Sequence, residues 1–535
     1  MTTNDRPLKP GPLRRTGAVA AIATSLALVA SGCASGGYGA AGADSGTFTY
    51  LTNTELVTEW DPAASYSNEL AAFPNMYETL TRYNAEQQEV EPLLATEWES
   101  SSDGRTWTFT LREGVTFHTG KALTSEAVKA AIERTIEEGA GAAYLWGPVS
   151  SIETPDEQTV TFKLSRPAPL DLISSASYAA YIYDIPASAD DFTGASFGTG
   201  PYTVESWEAG SENELTLTRY EEYWGGWEGD HYENVLYRVV PQASTAAQLM
   251  TSGEAHYARQ LPTNLLEPMR GEDGLEITSG TSWQNLFGMM NTEKAPLDDE
   301  RVRQAVAHAV NYDELIDASE GALTDADGVI PEGLLGHSSD LNLRLYDPDR
   351  AEELLTEAGY GPDSGEILQL DLTYTEGNET TATVATLMQS QLAAVNIELN
   401  IEALPWDSGV WPRGQEENPE DRQDILLTYW WPDNPEPISW FQSVFRTEEE
   451  INMNLSYYSN PDLDEMIDEV GAVTAVDPDE AQSMYEEMQS VVIADAPVLL
   501  LGDVMYQRAI SSSFEGFVEN PAYPNVVFVY DLQPA

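Results

Sequence analysis

Apolar and polar residues alternate in two segments of the chain in the way that half-buried β-strands require. These segments are residues 107–111 (WTFTL) and residues 160–164 (VTFKL), in which every second side chain would face a core. Asp103 and Gly104 form a turn pair shortly before the first segment, as expected of a strand that begins after a tight turn. We therefore predict strands at both positions.

Other segments carry apolar residues at helical spacing. Two such sets are Val302, Ala305, Val306, Ala309 and Val310, and then Leu463, Met466, Ile467 and Val470. A third helix is predicted over residues 347–359. Asp347 is a good N-cap, Pro348 suits the first turn and Gly359 suits the end. Because strands and helices interleave along the chain, the pattern predicts an α/β fold.

Composition limits what the protein can be. The chain has 535 residues, and single cores rarely exceed about 250–300 residues, so we expect several domains. Cys33 is the single cysteine, which excludes an intramolecular disulfide and cysteine-rich zinc sites. The 25 basic and 89 acidic residues give a net charge of −64, and so acidic a protein repels nucleic acid and anionic lipid headgroups.

The N-terminal segment has the pattern of an export signal. A basic stretch is followed by a small and aliphatic run, residues 17–30, which is too short to span a membrane. Residues 30–33 (ASGC) follow directly and resemble a bacterial lipobox, whose cysteine is lipidated and becomes the mature N-terminus. We predict a lipoprotein signal peptide over residues 1–33, lipidation of Cys33 and a flexible tether over residues 34–46. The alternative is an ordinary signal peptide with an incidental cysteine.

The catalytic and metal-binding motifs in the sequence lack the context that they need. Residues 194–198 (GASFG) match the G-x-S-x-G pattern of a nucleophilic serine, but Gly200 and Pro201 block the helix that should follow. The five histidines are scattered without metal-ligand spacing. The sequence therefore predicts no enzyme, no metal site and no cofactor. A secreted hydrolase is the enzyme alternative.

A series of motifs runs along most of the chain. It comprises residues 61–62 (DP), 77–80 (YETL), 91–95 (EPLLA), 106–120 (TWTFTLREGVTFHTG), 198–202 (GTGPY), 223–226 (YWGG), 296–305 (PLDDERVRQA), 346–359, 458–464 and 496–497 (AP). In this order the motifs resemble the extracellular solute-binding proteins of family 5. Members of that family are the peptide, nickel and related receptors of ABC importers.

The resemblance implies a domain organisation. The expected fold is a two-lobed type II periplasmic-binding-protein fold with an additional third domain, in which the chain crosses between the lobes. By analogy with the family, the first lobe would comprise residues 47–81, 197–283 and 503–535. The additional domain would comprise residues 82–196, and the second lobe residues 284–502.

One motif is a candidate ligand site. After an apolar strand, residues 430–437 (WWPDNPEP) place Asp433 among aromatic residues and prolines. The resemblance implies that Asp433 pairs with the α-ammonium of a peptide, as in the oligopeptide-binding branch, and that Trp430 lines the same pocket. In a closed cleft each hydrogen bond from an ammonium to a carboxylate is worth about 1.5–3 kcal/mol. Alternatively, Asp433 only caps a proline-stiffened turn and Trp430 is a core residue.

The resemblance adds four further candidate ligand contacts. Tyr66 follows the DP motif at a position that faces the cleft in relatives. Trp283, Asn285 and Phe287 share one face of a strand that would lead into the second lobe. Some oligopeptide binders carry a basic residue six positions before the anchor, where it meets the peptide carboxylate, but here that position is Leu427. The partner of the ligand carboxylate is therefore unassigned.

Together these features predict a monomeric receptor that is exported and anchored to the outer face of the cell membrane by a lipid. It would capture oligopeptides between its lobes and deliver them to an ABC permease and ATPase complex, without chemical reaction. One alternative is the same role for a non-peptide solute, such as an oligosaccharide that stacks on tryptophan rings. Another is a surface ligand sensor that works without a permease.

Overall fold

The computed structural model describes residues 46–208, 214–259, 261–341, 345–361, 364, 367–448 and 450–535. The predicted signal peptide, Cys33 and the predicted tether up to residue 45 lie outside the described residues. Within the described part of the chain, every helix is too short or too polar to cross a membrane.

Strands and helices alternate through the described residues. The strands are β1 (Thr47–Thr52), β2 (Thr81–Asn84), β3 (Glu89–Pro92), β4 (Ala95–Ser100), β5 (Thr106–Leu111), β6 (Val149–Glu153), β7 (Thr159–Leu164), β8 (Tyr202–Glu208), β9 (Glu214–Arg219), β10 (Asn234–Val239), β11 (Tyr257–Ala258), β12 (Leu275–Met290), β13 (Leu323–Thr324), β14 (Leu368–Thr375), β15 (Ile397–Leu404), β16 (Ile425–Trp430), β17 (Val498–Ser511), β18 (Phe514–Glu515) and β19 (Gln533–Pro534). The α-helices are α1 (Ser125–Glu138), α2 (Leu170–Ile173), α3 (Ala243–Thr251), α4 (Thr263–Met269), α5 (Glu300–Ala309), α6 (Tyr312–Ala318), α7 (Pro348–Ala358), α8 (Glu379–Ala394), α9 (Trp411–Gly414), α10 (Ile438–Trp440), α11 (Pro461–Thr474) and α12 (Pro478–Asp495).

The predicted elements are confirmed. The two alternating segments lie in β5 and β7, and the three helical segments correspond to α5, α7 and α11. At the start of α7 the Asp347 side chain accepts a hydrogen bond from the backbone N–H of Arg350, so it satisfies one free donor of the first turn. Gly359 ends this helix with φ +95°, a conformation that glycine adopts without a steric penalty.

A large mixed sheet spans two halves of the protein. Its strand order is β15-β14-β16-β12-β17-β11-β1-β10-β9-β8, and β13 pairs with β17 at the side. The antiparallel pair β12 and β17 is therefore shared by both halves. Residues 282–290 of β12 are almost continuously buried, as expected of a strand that is covered on both faces.

Each half of the large sheet has its own apolar core. Leu286, Leu354 and Met388 belong to the core around β14–β16, whereas Phe48 and Tyr237 belong to the core around β1 and β10. Two cores that are joined by a strand pair make a two-lobed α/β architecture. The predicted fold class is thereby confirmed.

A second sheet lies outside the large one. Its order is β4-β5-β7-β6, and all of its pairings are antiparallel. Phe109 and Phe162 meet edge to face on this sheet with ring centroids 5.7 Å apart, and Ile132 of α1 belongs to the same core. The sheet falls within the predicted additional domain, whose boundaries stay a prediction.

At the motif of residues 198–202, the main chain passes very close to the main chain at Met76. A Cβ atom on Gly198 would overlap the carbonyl oxygen of Met76, and one on Gly200 would lie 2.7 Å from the Met76 carbonyl carbon. The backbone N–H of Gly200 donates to the same carbonyl oxygen at 3.0 Å. These glycines are therefore required because larger residues would collide with backbone.

We predict that Gly198→Ala lowers the midpoint of thermal unfolding. Because the obstacle is a backbone carbonyl and not a movable side chain, the main chain must shift, at a cost of about 1–3 kcal/mol. Gly46→Ala is the matched control, since the nearest atom to its Cβ would be a Glu233 side-chain oxygen at 3.6 Å. Equal midpoints for the two variants, measured by calorimetry, would contradict this steric account.

Candidate functional site

A cleft of about 1120 Å³ lies beside the central strand pair. Its walls come from both halves of the large sheet and from the loop between β1 and β2. The lining includes residues 428–431 and Asp433, Tyr66 and Arg259, and residues 504–508 of β17. The cleft is thus formed where the two lobes face each other.

Asp433 is buried at one side of this cleft and is 3% exposed. It follows β16, between Pro432 and Pro435, which restrict the backbone on both sides. The Tyr66 hydroxyl donates to Oδ1 of Asp433 at 2.8 Å, and the Tyr144 hydroxyl donates to Oδ2. Two segments that are distant in sequence therefore meet one carboxylate.

The electrostatics of Asp433 are set mainly by burial. Loss of water raises the pKa of Asp433, and the hydrogen bonds from Tyr144 and Tyr66 lower it in part. Burial, followed by the nearby Asp433 charge, raises the pKa of both tyrosines far above the ordinary value, so both hydroxyls stay protonated donors. Among the described residues, no lysine, arginine or histidine forms an ion pair with Asp433. The site therefore holds a carboxylate that lacks a cationic partner.

A second carboxylate lies three residues further along. Glu436 is 3% exposed, and burial raises its pKa to about 7. The Asn434 side-chain amide donates to its Oε2 at 3.5 Å, while Oε1 is without a hydrogen-bond partner in the described part of the chain. Glu436 is not among the residues that line the cleft, but its charge acts on Tyr144 and helps to raise the pKa of that hydroxyl.

Tyr66 and Trp430 both line the cleft. Tyr66 is 40% exposed, and its ring meets the Tyr178 ring edge to face with centroids 5.0 Å apart. Trp430 is half-buried at the end of β16, and its indole N–H is without a hydrogen-bond partner among the described residues. Both rings are accessible to a bound solute, although their ligand contacts stay predictions.

Trp283, Asn285 and Phe287 lie in the core beside the cleft and not on its surface. Trp283 is 3% exposed, with φ +51° at an irregularity of β12, and its indole N–H donates to the Glu332 carbonyl oxygen at 3.0 Å. Phe287 is fully buried, and its ring meets the Phe445 ring edge to face, with centroids 6.3 Å apart. Because β12 is covered on both faces, side-chain alternation alone does not bring these residues to the cleft.

Asn285 connects the two central strands to a helix. Its amide donates to Asp503 Oδ1 on β17 at 2.6 Å, and its own Oδ1 accepts from the Trp440 indole at 2.6 Å. Burial raises the pKa of Asp503 to about 8. This buried chain of hydrogen bonds fixes the strand pair next to the irregularity of β12. Whether Trp283, Asn285 and Phe287 contact a ligand stays a prediction.

Sequence reasoning did not find Tyr144, Tyr178 or Arg259. Tyr144 lies in a run of glycine and alanine residues between α1 and β6, where an aromatic side chain is a weak signal. Tyr178 and Arg259 follow no recognisable spacing relative to Asp433. Only the tertiary structure brings Tyr144 to Asp433 and the other two residues to the cleft.

Comparisons with known proteins agree with this architecture. The family model for bacterial extracellular solute-binding proteins, family 5 Middle, matches residues 89–451. The probable D,D-dipeptide-binding periplasmic protein DdpA of Escherichia coli is 27% identical over 483 residues, covering 87% of this chain and 90% of that protein. The glutathione-binding protein GsiB of Pectobacterium atrosepticum is 28% identical, covering 80% of this chain and 83% of that protein.

Solved structures share the fold. The periplasmic binding protein DppA from Helicobacter pylori, in complex with the peptide STSA, has a TM-score of 0.76 at 22% identity, covering 91% of this chain and 98% of that one. The oligopeptide-binding protein AppA from Bacillus subtilis, in complex with a nonapeptide, has a TM-score of 0.74 at 19% identity, covering 92% and 99%.

Asp433→Asn should stabilise the ligand-free protein at neutral pH. Burial raises the folded-state pKa of Asp433 above its unfolded value of about 3.9, so ionisation opposes folding, by about 1.4 kcal/mol for each unit of difference. This penalty is absent at low pH and grows as the pH rises from the unfolded to the folded pKa. We expect the thermal midpoint of the variant to exceed that of the wild type at pH 7.5, and by less at pH 4.

Asp230→Asn is the matched control, because Asp230 is exposed and should show no such gain. If Asp433→Asn were less stable than the wild type at both pH values, Asp433 would have a structural role in its turn.

Proposed function

We propose that this chain, which belongs to the bacterial extracellular solute-binding proteins of family 5, is the substrate-binding component of an ABC importer that captures peptides. Relatives named for dipeptides, glutathione and longer peptides support this assignment. The peptide is held between the two lobes and handed to a membrane permease with its ATPase. The peptide is released without any chemical change to it.

The observation that carries the proposal is the buried Asp433 carboxylate. Its two hydrogen-bond donors are neutral tyrosine hydroxyls, which compensate only part of the loss of water. The α-ammonium of a peptide supplies the positive charge and further donors, and ion pairing in a water-poor cleft is stronger than in bulk water. Asp433 is therefore the proposed anchor of the peptide N-terminus.

Trp430 and Tyr66 provide apolar walls beside this anchor. Both line the cleft, and aromatic rings can pack against many different side chains. Backbone groups at the cleft edge would bind the peptide main chain, while water-filled spaces accommodate variable side chains. This combination suits a receptor that accepts many sequences.

The movement that admits the peptide is proposed to be a hinge closure. The strands β12 and β17 are shared by both halves of the large sheet, whereas each half keeps its own core. We place the lobes at residues 47–81, 197–283 and 503–535 and at residues 284–502, with the additional domain at residues 82–196. Peptide binding favours closure because both lobes then contact the ligand. The receptor works as a monomer.

Asp433→Asn should weaken peptide binding by about 2–4 kcal/mol, because the ammonium loses its ionised partner. Calorimetric titration with peptides of two to five residues measures the change. The same peptides with an acetylated N-terminus are the matched control: they should bind the wild type weakly and lose little further affinity in the variant. Equal affinity of both proteins for the free peptides would contradict the anchor. A change in the mass of the recovered peptide would contradict a purely binding role.

We further propose that Cys33 carries a lipid that holds the receptor on the outer face of the membrane. The proposal rests on the sequence pattern that precedes Cys33. A single acyl chain binds a membrane only weakly, so a stable anchor usually needs a second attachment. Diacyl lipidation of one cysteine supplies more than one acyl chain.

Cys33→Ser should release the receptor from the membrane fraction into the soluble exported fraction of an expressing bacterium. The wild type should partition into detergent and carry the mass of a lipid on its N-terminal cysteine. Ser31→Ala is the control, because small residues are accepted before a lipobox cysteine. An unmodified Cys33 in the mature wild type would contradict lipidation.

A further inference from the structure

Two arginines line the cleft among the residues that the structure describes, and only one of them is available to a ligand. Arg259 directly follows β11 and is half-buried. Its Nη1 donates to the neutral side-chain oxygen of Asn68 at 2.8 Å. Within the described residues, Arg259 forms no ion pair with a carboxylate, although the chain contains 89 acidic residues. This guanidinium therefore faces the cleft with unused donors.

The other arginine holds Arg259 in place. Arg508 on β17 is 3% exposed, and its Nη1 donates to the Arg259 backbone carbonyl oxygen at 2.6 Å. Its Nη2 donates to Asn525 Oδ1 at 2.9 Å, and its guanidinium carbon lies 3.9 Å from the centroid of the Tyr506 ring. Both Nη groups of Arg508 are thus hydrogen-bonded within the protein, and its buried Nε lies 3.8 Å from Glu519 Oε2. Arg508 fixes the backbone from which the Arg259 side chain extends.

Arg259 and Asp433 line the same cleft as two aromatic residues, Tyr66 and Tyr178. Tyr66, which donates to Asp433, has its ring against that of Tyr178. The pKa of Tyr178 responds to both charges: burial raises it, the Asp433 charge raises it further, and the Arg259 charge lowers it. Asn68, two residues after Tyr66, accepts the hydrogen bond from Arg259, so the segment 66–68 contacts both groups. The cleft therefore carries one acidic and one basic group on its lining.

We propose that Arg259 binds the C-terminal carboxylate of the peptide, so that the cleft selects short zwitterionic peptides whose two charged ends reach Asp433 and Arg259. The inference rests on the proposed function and names the substrate class of the same cleft. A guanidinium pairs with a carboxylate through two parallel hydrogen bonds, which fixes the direction of the ligand as well as its charge. A peptide whose carboxylate is replaced by an amide keeps its ammonium but loses this pair.

The test compares free-acid and C-terminally amidated alanyl peptides of two to five residues, titrated into the whole protein by calorimetry. For the length that binds most tightly, we expect the wild type to bind the acid at least tenfold more tightly than the amide. Arg259→Gln should bind the two forms within threefold of each other, whereas Arg259→Lys should retain an intermediate preference. Arg238→Gln is the control, because Arg238 pairs with Glu214 on strands away from the cleft, and it should keep the full preference.

The outcomes separate this inference from the proposed function. Tight binding with equal affinity for acid and amide in the wild type overturns the inference and leaves peptide capture standing. An acid preference that survives intact in Arg259→Gln, with an unchanged thermal midpoint, assigns the carboxylate to another residue and also overturns it. If the wild type binds none of the alanyl peptides in either form, both peptide capture and the inference fail.

Discussion

The central constraint in this structure is a carboxylate that is removed from water and that has no paired cation among the residues the structure describes. Asp433 receives hydroxyl donors from Tyr66 and Tyr144, and these come from different parts of the chain. Neutral donors stabilise an ionised carboxylate, but they do not replace the full solvation that burial removes. The desolvation of Asp433 is therefore only partly compensated in the folded protein, at the place where its two halves meet.

This incomplete compensation of a buried charge affects both folding and binding. A buried charge opposes folding, so the surrounding cores must supply the stability that the cleft does not. Around the cleft, Trp440 and Phe287 are fully buried, and Asn285 links β12 to β17 and to Trp440. The hydrogen bonds from Tyr66 and Tyr144 hold the Asp433 carboxylate in place in the lining of the cleft. Pre-organisation of this kind reduces the ordering that a ligand must otherwise bring about.

The large net charge contributes less to selectivity than these local groups do. At physiological ionic strength, interactions between exposed charges are largely screened beyond about 8 Å. A net charge of −64 therefore affects solubility and repels polyanions, whereas the groups inside the cleft decide which solute is held. On our proposals, Asp433 and Arg259 act on the two ends of one peptide at short range. The rings of Tyr66 and Tyr178 line the same cleft.

Local patterns in the sequence determined the elements of this protein and part of its site. Alternation at residues 107–111 and the capping residues Asp347 and Gly359 act through neighbouring backbone, so they predicted β5 and α7 without knowledge of the fold. The motif around Asp433 likewise indicated a carboxylate among aromatic residues. Tyr144 and Arg259 could not be predicted, because their hydrogen bonds and charges act between segments separated by hundreds of residues, and only the packing of the lobes brings those segments together.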